Sequence, residues 1–382
     1  MLSGCGPNEG PSAVSSEIAR ASSSPPDARV VSTAETLSAA LRAPTAQNIV
    51  VLPGVYDQPQ PFVNDRGHRV RAAGTGVVFT AGLVVGGSAA ARDSVIQGVI
   101  FDVSDLQKTF EGAAINVWGG ATGARIVDVT VLGHGTLSAG LLVRQPDGLV
   151  VRGVHVEGAT DYGVYVDGNG NGRPGGPAAL LEDVAVTGVA RPQPRSSNGT
   201  AEACLWLGAT ATVRHAVLRT CAWMGVWTGG ATNGSVLEDL SIDDSPVGVY
   251  IEHFTTGSVF QELRIGPQVR TGVVCEWADP DWGRKPACVD DVIQDSTIDS
   301  CAIGVDLGIG TTRTSVRRVT FSSQLVAAVS DIAGVGNAYD ANDYSSLADG
   351  AVSVSVGLAA IAAVTAAQSV ICPAEHAASR AR

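Results

Sequence analysis

Short runs of alternating apolar and polar residues restart at near-constant intervals along most of the chain. One run reads Gly-apolar-x-apolar, at Gly140-Leu141-Leu142-Val143, Gly163-Val164-Tyr165-Val166, Gly225-Val226-Trp227-Thr228, Gly248-Val249-Tyr250-Ile251, Gly272-Val273-Val274-Cys275 and Gly304-Val305-Asp306-Leu307. Cys204-Leu205-Trp206-Leu207 fits the same frame with Cys in the glycine place. A second run follows each, as at Val154-His155-Val156, Val184-Ala185-Val186, Leu240-Ser241-Ile242, Leu263-Arg264-Ile265 and Val319-Thr320-Phe321. From Gly140 to Gly163 is 23 residues, from Cys204 to Gly225 is 21, from Gly225 to Gly248 is 23 and from Gly248 to Gly272 is 24. Alternation with period two predicts strands that bury one side. A repeat of this length predicts coils that stack and share a core. A leucine-rich repeat has a similar period but needs a Leu/Asn consensus and a helical segment, and neither is present. The pattern therefore predicts an all-β chain folded as a right-handed parallel β-helix solenoid. The longer intervals, 163 to 204 and 272 to 304, predict loops that leave the coil.

The ends read differently. Ser32 with Glu35 makes a capping box, followed by Leu37, Ala40 and Leu41 at helical spacing, which predicts a short helix capping the open N-terminal end. The strand Asn48-Ile49-Val50-Val51 that runs into Leu52-Pro53-Gly54-Val55-Tyr56 resembles the opening strand of pectin-lyase-like β-helix proteins. At the level of repeat grammar that resemblance covers roughly residues 30–345, and it implies the fold more strongly than any activity. Beyond Asp349, Val352, Val354 and Val356 alternate like a strand, and the stretch from Leu358 to Ile371 is Ala-rich with Ser, Thr and Gln. That stretch is too polar for a membrane span and predicts a C-terminal cap. The expected organisation is a tether over 1–28, the β-helix over 29–348 and a cap or tail over 349–382.

Charge and cysteine content narrow the partners. The formal net charge is -12, which argues against nucleic acid, since that ligand needs a basic face. A polyanionic glycan would need a local basic patch; an uncharged one would not. Leu2-Ser3-Gly4-Cys5 resembles the bacterial lipoprotein signal, which implies acylation at Cys5. The Ser/Pro/Gly/Ala-rich segment after it then reads as a flexible tether, and the membrane is met only through the lipid. The remaining six cysteines form an even set suited to an oxidising compartment, with Cys275 and Cys288 the easy local pair. The expected location is extracytoplasmic, secreted or anchored at the cell surface.

Stacking turns the repeat into columns, with successive members about 4.8 Å apart. The outward position between the two apolar residues reads Asn116, Leu142, Tyr165, Trp206, Trp227, Tyr250, Val274, Asp306. Four successive aromatic residues match the apolar faces of sugar rings, or else form a ladder that only stabilises the solenoid. The next outward column reads Asp167, Gly208, Gly229, Glu252, Glu276. Glu252 and Glu276 fall on adjacent coils, where two carboxylates serve as acid with base or nucleophile, or bind a cation. His253 lies beside them, and Asp279, Asp281, Arg284 and Lys285 follow in the 277–286 loop, supplying candidate bases and cations. A surface strand solvated by its charges would look the same.

Three further motifs carry less. Asp167, Asn169 and Asn171 resemble the first half of a calcium loop, but Ala178 stands where the closing Glu belongs. Calcium is thus a candidate cofactor, and a Gly/Asn-rich turn the alternative. Gly133-His134-Gly135 resembles a polygalacturonase segment, yet the partner motifs of that family are missing or out of order, so its mechanism is not carried over. His155 and His215 decorate a strand. The leading expectation is a polysaccharide hydrolase or lyase acting in a groove on a monomeric β-helix. The competing one is a non-catalytic glycan-binding or adhesin-like β-helix, for which trimerisation would be the sign.

Overall fold

The computed structural model describes residues 27–144, 146–168, 179–190, 202–229, 232–252, 255–276, 288–332, 336–368 and 370. The chain winds as a parallel β-helix. One wall is a twelve-stranded parallel sheet running from Phe62–Asn64 to Val352–Val356, and the other is a twenty-one-stranded sheet. The Gly-apolar-x-apolar runs form the first sheet, with Tyr165 opposite Trp206, Trp206 opposite Trp227, and Trp227 opposite Tyr250.

Each coil contributes two strand segments to the larger sheet, one more than the sequence pattern shows. They meet at a bend where one residue adopts positive φ: Asp128, Asp183, His215, Asp239, Glu262, Asp295 and Arg318 all lie at φ 51–55°. The bend shifts the inward positions from spacing two to spacing three, as in buried Leu237, Leu240 and Ile242. A left-handed residue is usually glycine, with Asp and Asn next. Gly98 and Gly153 hold the place on two coils, but Asp, His, Glu and Arg hold it on the others, so no regular glycine marks the corner.

The glycines that open the other strand type are fixed by contact. A Cβ on Gly272 would lie 2.5 Å from the Gly304 carbonyl oxygen and 2.6 Å from Ile298 Cγ2, and one on Gly225 would lie 2.7 Å from the Gly248 oxygen. These positions sit where one coil's backbone presses on the next and on the core. Gly272→Ala is expected to cost about 1–3 kcal/mol by overpacking, read as a lower urea midpoint at unchanged slope. Cys204, in the same column, is bonded to Cys221, and Cys275 is bonded to Cys288.

At the N-terminal end a helix spans Ala34–Leu41 and buries Leu37, Ala40 and Leu41. Its cap is Thr33 paired with Thr36 rather than Ser32 with Glu35. Thr33 is the residue with extended backbone whose hydroxyl reaches the Thr36 amide, so the box begins one position later than the pattern suggested. The first strand is Ala28–Val31, which pairs with Asn48–Val51 ahead of the helix-to-strand turn. At the other end Val352–Val356 pairs in register with Ala327–Asp331, so regular coiling reaches Val356. The helix Leu358–Ala367 follows, with Ala367 packed on Cys301, Ala302 and Ile303. Among the described residues no helix is long and apolar enough to cross a membrane.

Candidate functional site

The outward face of the twelve-stranded sheet is open at its N-terminal edge, where Val63 is 46% exposed, and again in its middle. Asn116 is 0% exposed and Leu142 7% before the aromatic rungs; Asp306 is 7% and Ser330 0% beyond them. Between these closed ends Tyr165, Trp206, Trp227, Tyr250 and Val274 are half-buried. The window therefore coincides with the aromatic column.

The four rings are not four equal platforms. Tyr165 and Trp206 stack face to face with centroids 4.1 Å apart, so each covers a face of the other. Trp227 is turned, lying edge-on to Trp206 at 88° and to Tyr250 at 82°. Its buried indole Nε1 has no hydrogen-bond partner among the described residues. A buried donor left unpaired costs about 1–3 kcal/mol.

Glycine shapes the floor. The Trp206 ring swings over Gly208 and reaches Gly229 on the next coil. A Cβ on Gly229 would lie 3.0 Å from Trp206 Cζ2 and 3.4 Å from Glu252 Oε2. The indole edge and the carboxylate thus meet in a tight notch over Gly229, whose backbone is buried. Glu252 and Glu276 sit on adjacent rungs, since Glu276 donates its amide to the Ile251 carbonyl at 2.9 Å, as Glu252 does to Thr228. The Tyr250 hydroxyl donates to the Glu276 carboxylate, and burial, then the charges of Glu276 and Glu252, push the Tyr250 phenol well above its usual range. Both acids therefore lean one rung toward the aromatic stretch.

The second outward column also runs the other way. Val117 pairs with Val143 and Val143 with Val166, so Trp118 and Arg144 precede Asp167. Arg144 lies 5.7 Å from the Trp118 ring centroid, contacts Glu111 at 2.9 Å and reaches Asp167 at 4.0 Å. Trp118, Arg144 and Glu111 were not singled out from sequence, although reading the column upward would have found the first two.

The remaining predicted residues are apart from this group or beyond view. Asp167 faces Arg144, and among the described residues no three His, Cys, Asp or Glu form a metal-holding group. Asn169, Asn171, His253, Arg284, Lys285 and Cys5 lie outside the described residues. His215 pairs with Asp239 at 2.7 Å, which raises its pKa chiefly through that hydrogen bond, and Asp239 also holds Arg264. It is a surface ion-pair ladder, not a ligand set.

No family model and no curated protein matches the chain. Solved structures match it. A PL6 alginate lyase in complex with a trisaccharide aligns with TM-score 0.57 at 11% identity, covering 88% of this chain and 89% of its own. The catalytic domain of a GH87 α-1,3-glucanase in complex with nigerose aligns with TM-score 0.56 at 10% identity, covering 88% and 68%. A PL6 polysaccharide lyase from Pseudopedobacter saltans aligns with TM-score 0.52 at 10% identity, covering 82% and 77%. At such identity the likeness establishes the fold: the chain is a right-handed parallel β-helix, the architecture of these carbohydrate-active domains.

Proposed function

We propose that the chain is an extracytoplasmic polysaccharide-cleaving enzyme whose reaction takes place at the Gly229 notch. The observation that carries the reading is the meeting of the Trp206 edge and the Glu252 carboxylate at Gly229, with Glu276 one rung on, in the half-buried middle of the sheet. In this reading the glycan runs along the solenoid axis against Trp206, Trp227 and Tyr250. Glu252, beside the indole edge, protonates the departing glycosidic oxygen. Glu276, oriented by Tyr250, attacks the anomeric carbon or activates water. Carboxylates one rung apart suit the closer of the two glycosidase separations, which favours retention of configuration. The disulfides Cys204–Cys221 and Cys275–Cys288 support a location outside the reducing cytoplasm.

A lyase is the second reading, favoured by the two PL6 structures among the similar folds. Products separate the two: a hydrolase leaves saturated ends, a lyase unsaturated ones that absorb in the ultraviolet.

The notch itself provides the test. Gly229 has no left-handed φ, so a side chain is tolerated by the backbone but crowds Trp206 and Glu252. Across a panel of neutral and acidic glycans the wild type is expected to release new chain ends. Gly229→Val is expected to lose at least tenfold of that activity while its melting temperature changes by a few degrees at most. Wild-type protein that cleaves nothing, yet binds a glycan, would establish the binding module instead.

A further inference from the structure

The coils at the N-terminal end are charged unlike the rest of the chain. Residues 28–100 carry six Arg (29, 42, 66, 69, 71 and 92) against four acids (35, 57, 65 and 93), in a protein of net charge -12. Three of these arginines, Arg66, Arg69 and Arg92, line one cavity of about 330 Å³, with Asp93 its only acid. The cavity lies at the border where the chain leaves the twelve-stranded sheet for the larger one. Glu252 occupies the same border seven rungs beyond Phe62–Asn64 and Glu276 eight, at least about 34 Å at 4.8 Å per rung.

The cavity is shaped rather than incidental. Gly67 lies at φ 72°, and a Cβ there would meet the Arg92 carbonyl oxygen at 2.5 Å and that of Ala90 at 2.9 Å. The turn carrying Arg92 is thereby pressed onto the turn carrying Arg66. Behind them His68 is fully buried, accepting the Gln47 amide at Nδ1 (3.1 Å) and donating from Nε2 to the Leu41 carbonyl (3.0 Å). That ring fixes the Gln47 edge of the cavity. The guanidiniums are weakly engaged: Arg66 and Arg92 each meet only a neighbouring aspartate, at 3.6 and 3.7 Å through Nε. Arg69 makes no ion pair with any described residue.

We propose that this cavity is an anion subsite that binds the carboxylate of an acidic saccharide. Three arginines line a volume at the lower end of small-ligand pockets, and a guanidinium fork matches the two oxygens of a carboxylate. This is the local basic patch that an acidic glycan requires of an acidic protein. The anion assignment stands on the arginines alone; the saccharide assignment rests on the glycan reading above.

Calorimetric titration of the full chain with digalacturonate tests it, because a disaccharide is too short to span both sites. Wild type is expected to bind, more weakly as salt rises. The exposed pair Arg69→Ala with Arg92→Ala is expected to weaken binding at least tenfold, with an unchanged melting temperature confirming the fold. Equal binding by wild type and the arginine variant would overturn the site. Inorganic phosphate binding as tightly as digalacturonate, and displacing it, would overturn the saccharide assignment. Cleavage of neutral glycans untouched by the arginine variants, with no digalacturonate bound, removes this inference and spares the proposed enzyme. Digalacturonate bound through the arginines by a chain that cleaves nothing does the reverse.

Discussion

Glu276→Gln is expected to lower glycan turnover by about 10²–10⁴-fold, the usual span for losing a positioned acid or base, with affinity for the uncleaved glycan nearly unchanged. Gln keeps the size of the side chain and can still accept the Tyr250 hydroxyl, so the stacking partners and the notch stay in place. What it loses is the charge that would attack the sugar or activate water. Glu252→Gln is expected to lose a comparable amount, and more on substrates with poor leaving groups, because its role is to deliver a proton. The double variant should fall little below the worse single one, since the two act in one step. Turnover that survives both substitutions within threefold would remove the pair from the chemistry and return the window to a binding role.

The second large effect concerns stability. Asp291 is fully buried; its Oδ1 accepts the Ser258 amide at 2.7 Å, and its Oδ2 has no partner among the described residues. Burial pushes its carboxyl up to about 7, with the neighbouring charge of Asp290 adding to the rise. In the unfolded chain the group titrates near 3.8. The folded state therefore holds a proton that the unfolded state gives up, and stability from this residue is complete below about pH 4. It is lost as pH rises from there through about 7, by an amount on the order of 4 kcal/mol. Asp306, buried at the closed end of the window and pushed up to about 6, acts in the same direction. Asp291→Asn keeps the acceptor for Ser258 and cannot ionise, so its urea midpoint should vary much less between pH 4 and 7.5 than that of the wild type. Identical pH profiles for the two proteins would show that Asp291 is not the group responsible.

Much of this is legible in the sequence. Period-two runs beginning in glycine fix which residues face in, and the register they imply for Tyr165, Trp206, Trp227 and Tyr250 is the register found. The glycine column was visible because a Cβ there collides with the next coil. The second bend was not, because Asp183, His215 and Arg318 adopt left-handed backbone without announcing it. Sequence columns also say nothing about ring orientation, so the Tyr165–Trp206 stack and the turned Trp227 had to be seen. The same holds for the notch: Gly208 and Gly229 read as gaps in a column, and only the swing of Trp206 shows what they make room for. The arginine cavity draws on three turns whose residues are spaced unevenly in sequence, and no single repeat displays it.

The central claim is that a glycan lies along the aromatic window with a glycosidic bond above Gly229. Its most direct test is a crystal structure of Glu252→Gln with Glu276→Gln, soaked with an oligosaccharide of whichever glycan the wild type cleaves. The account predicts sugar rings against Trp206, Trp227 and Tyr250, and one glycosidic oxygen within hydrogen-bond reach of residue 252. Sugar bound on the outer face of the larger sheet, with the Gly229 notch left empty, would contradict it.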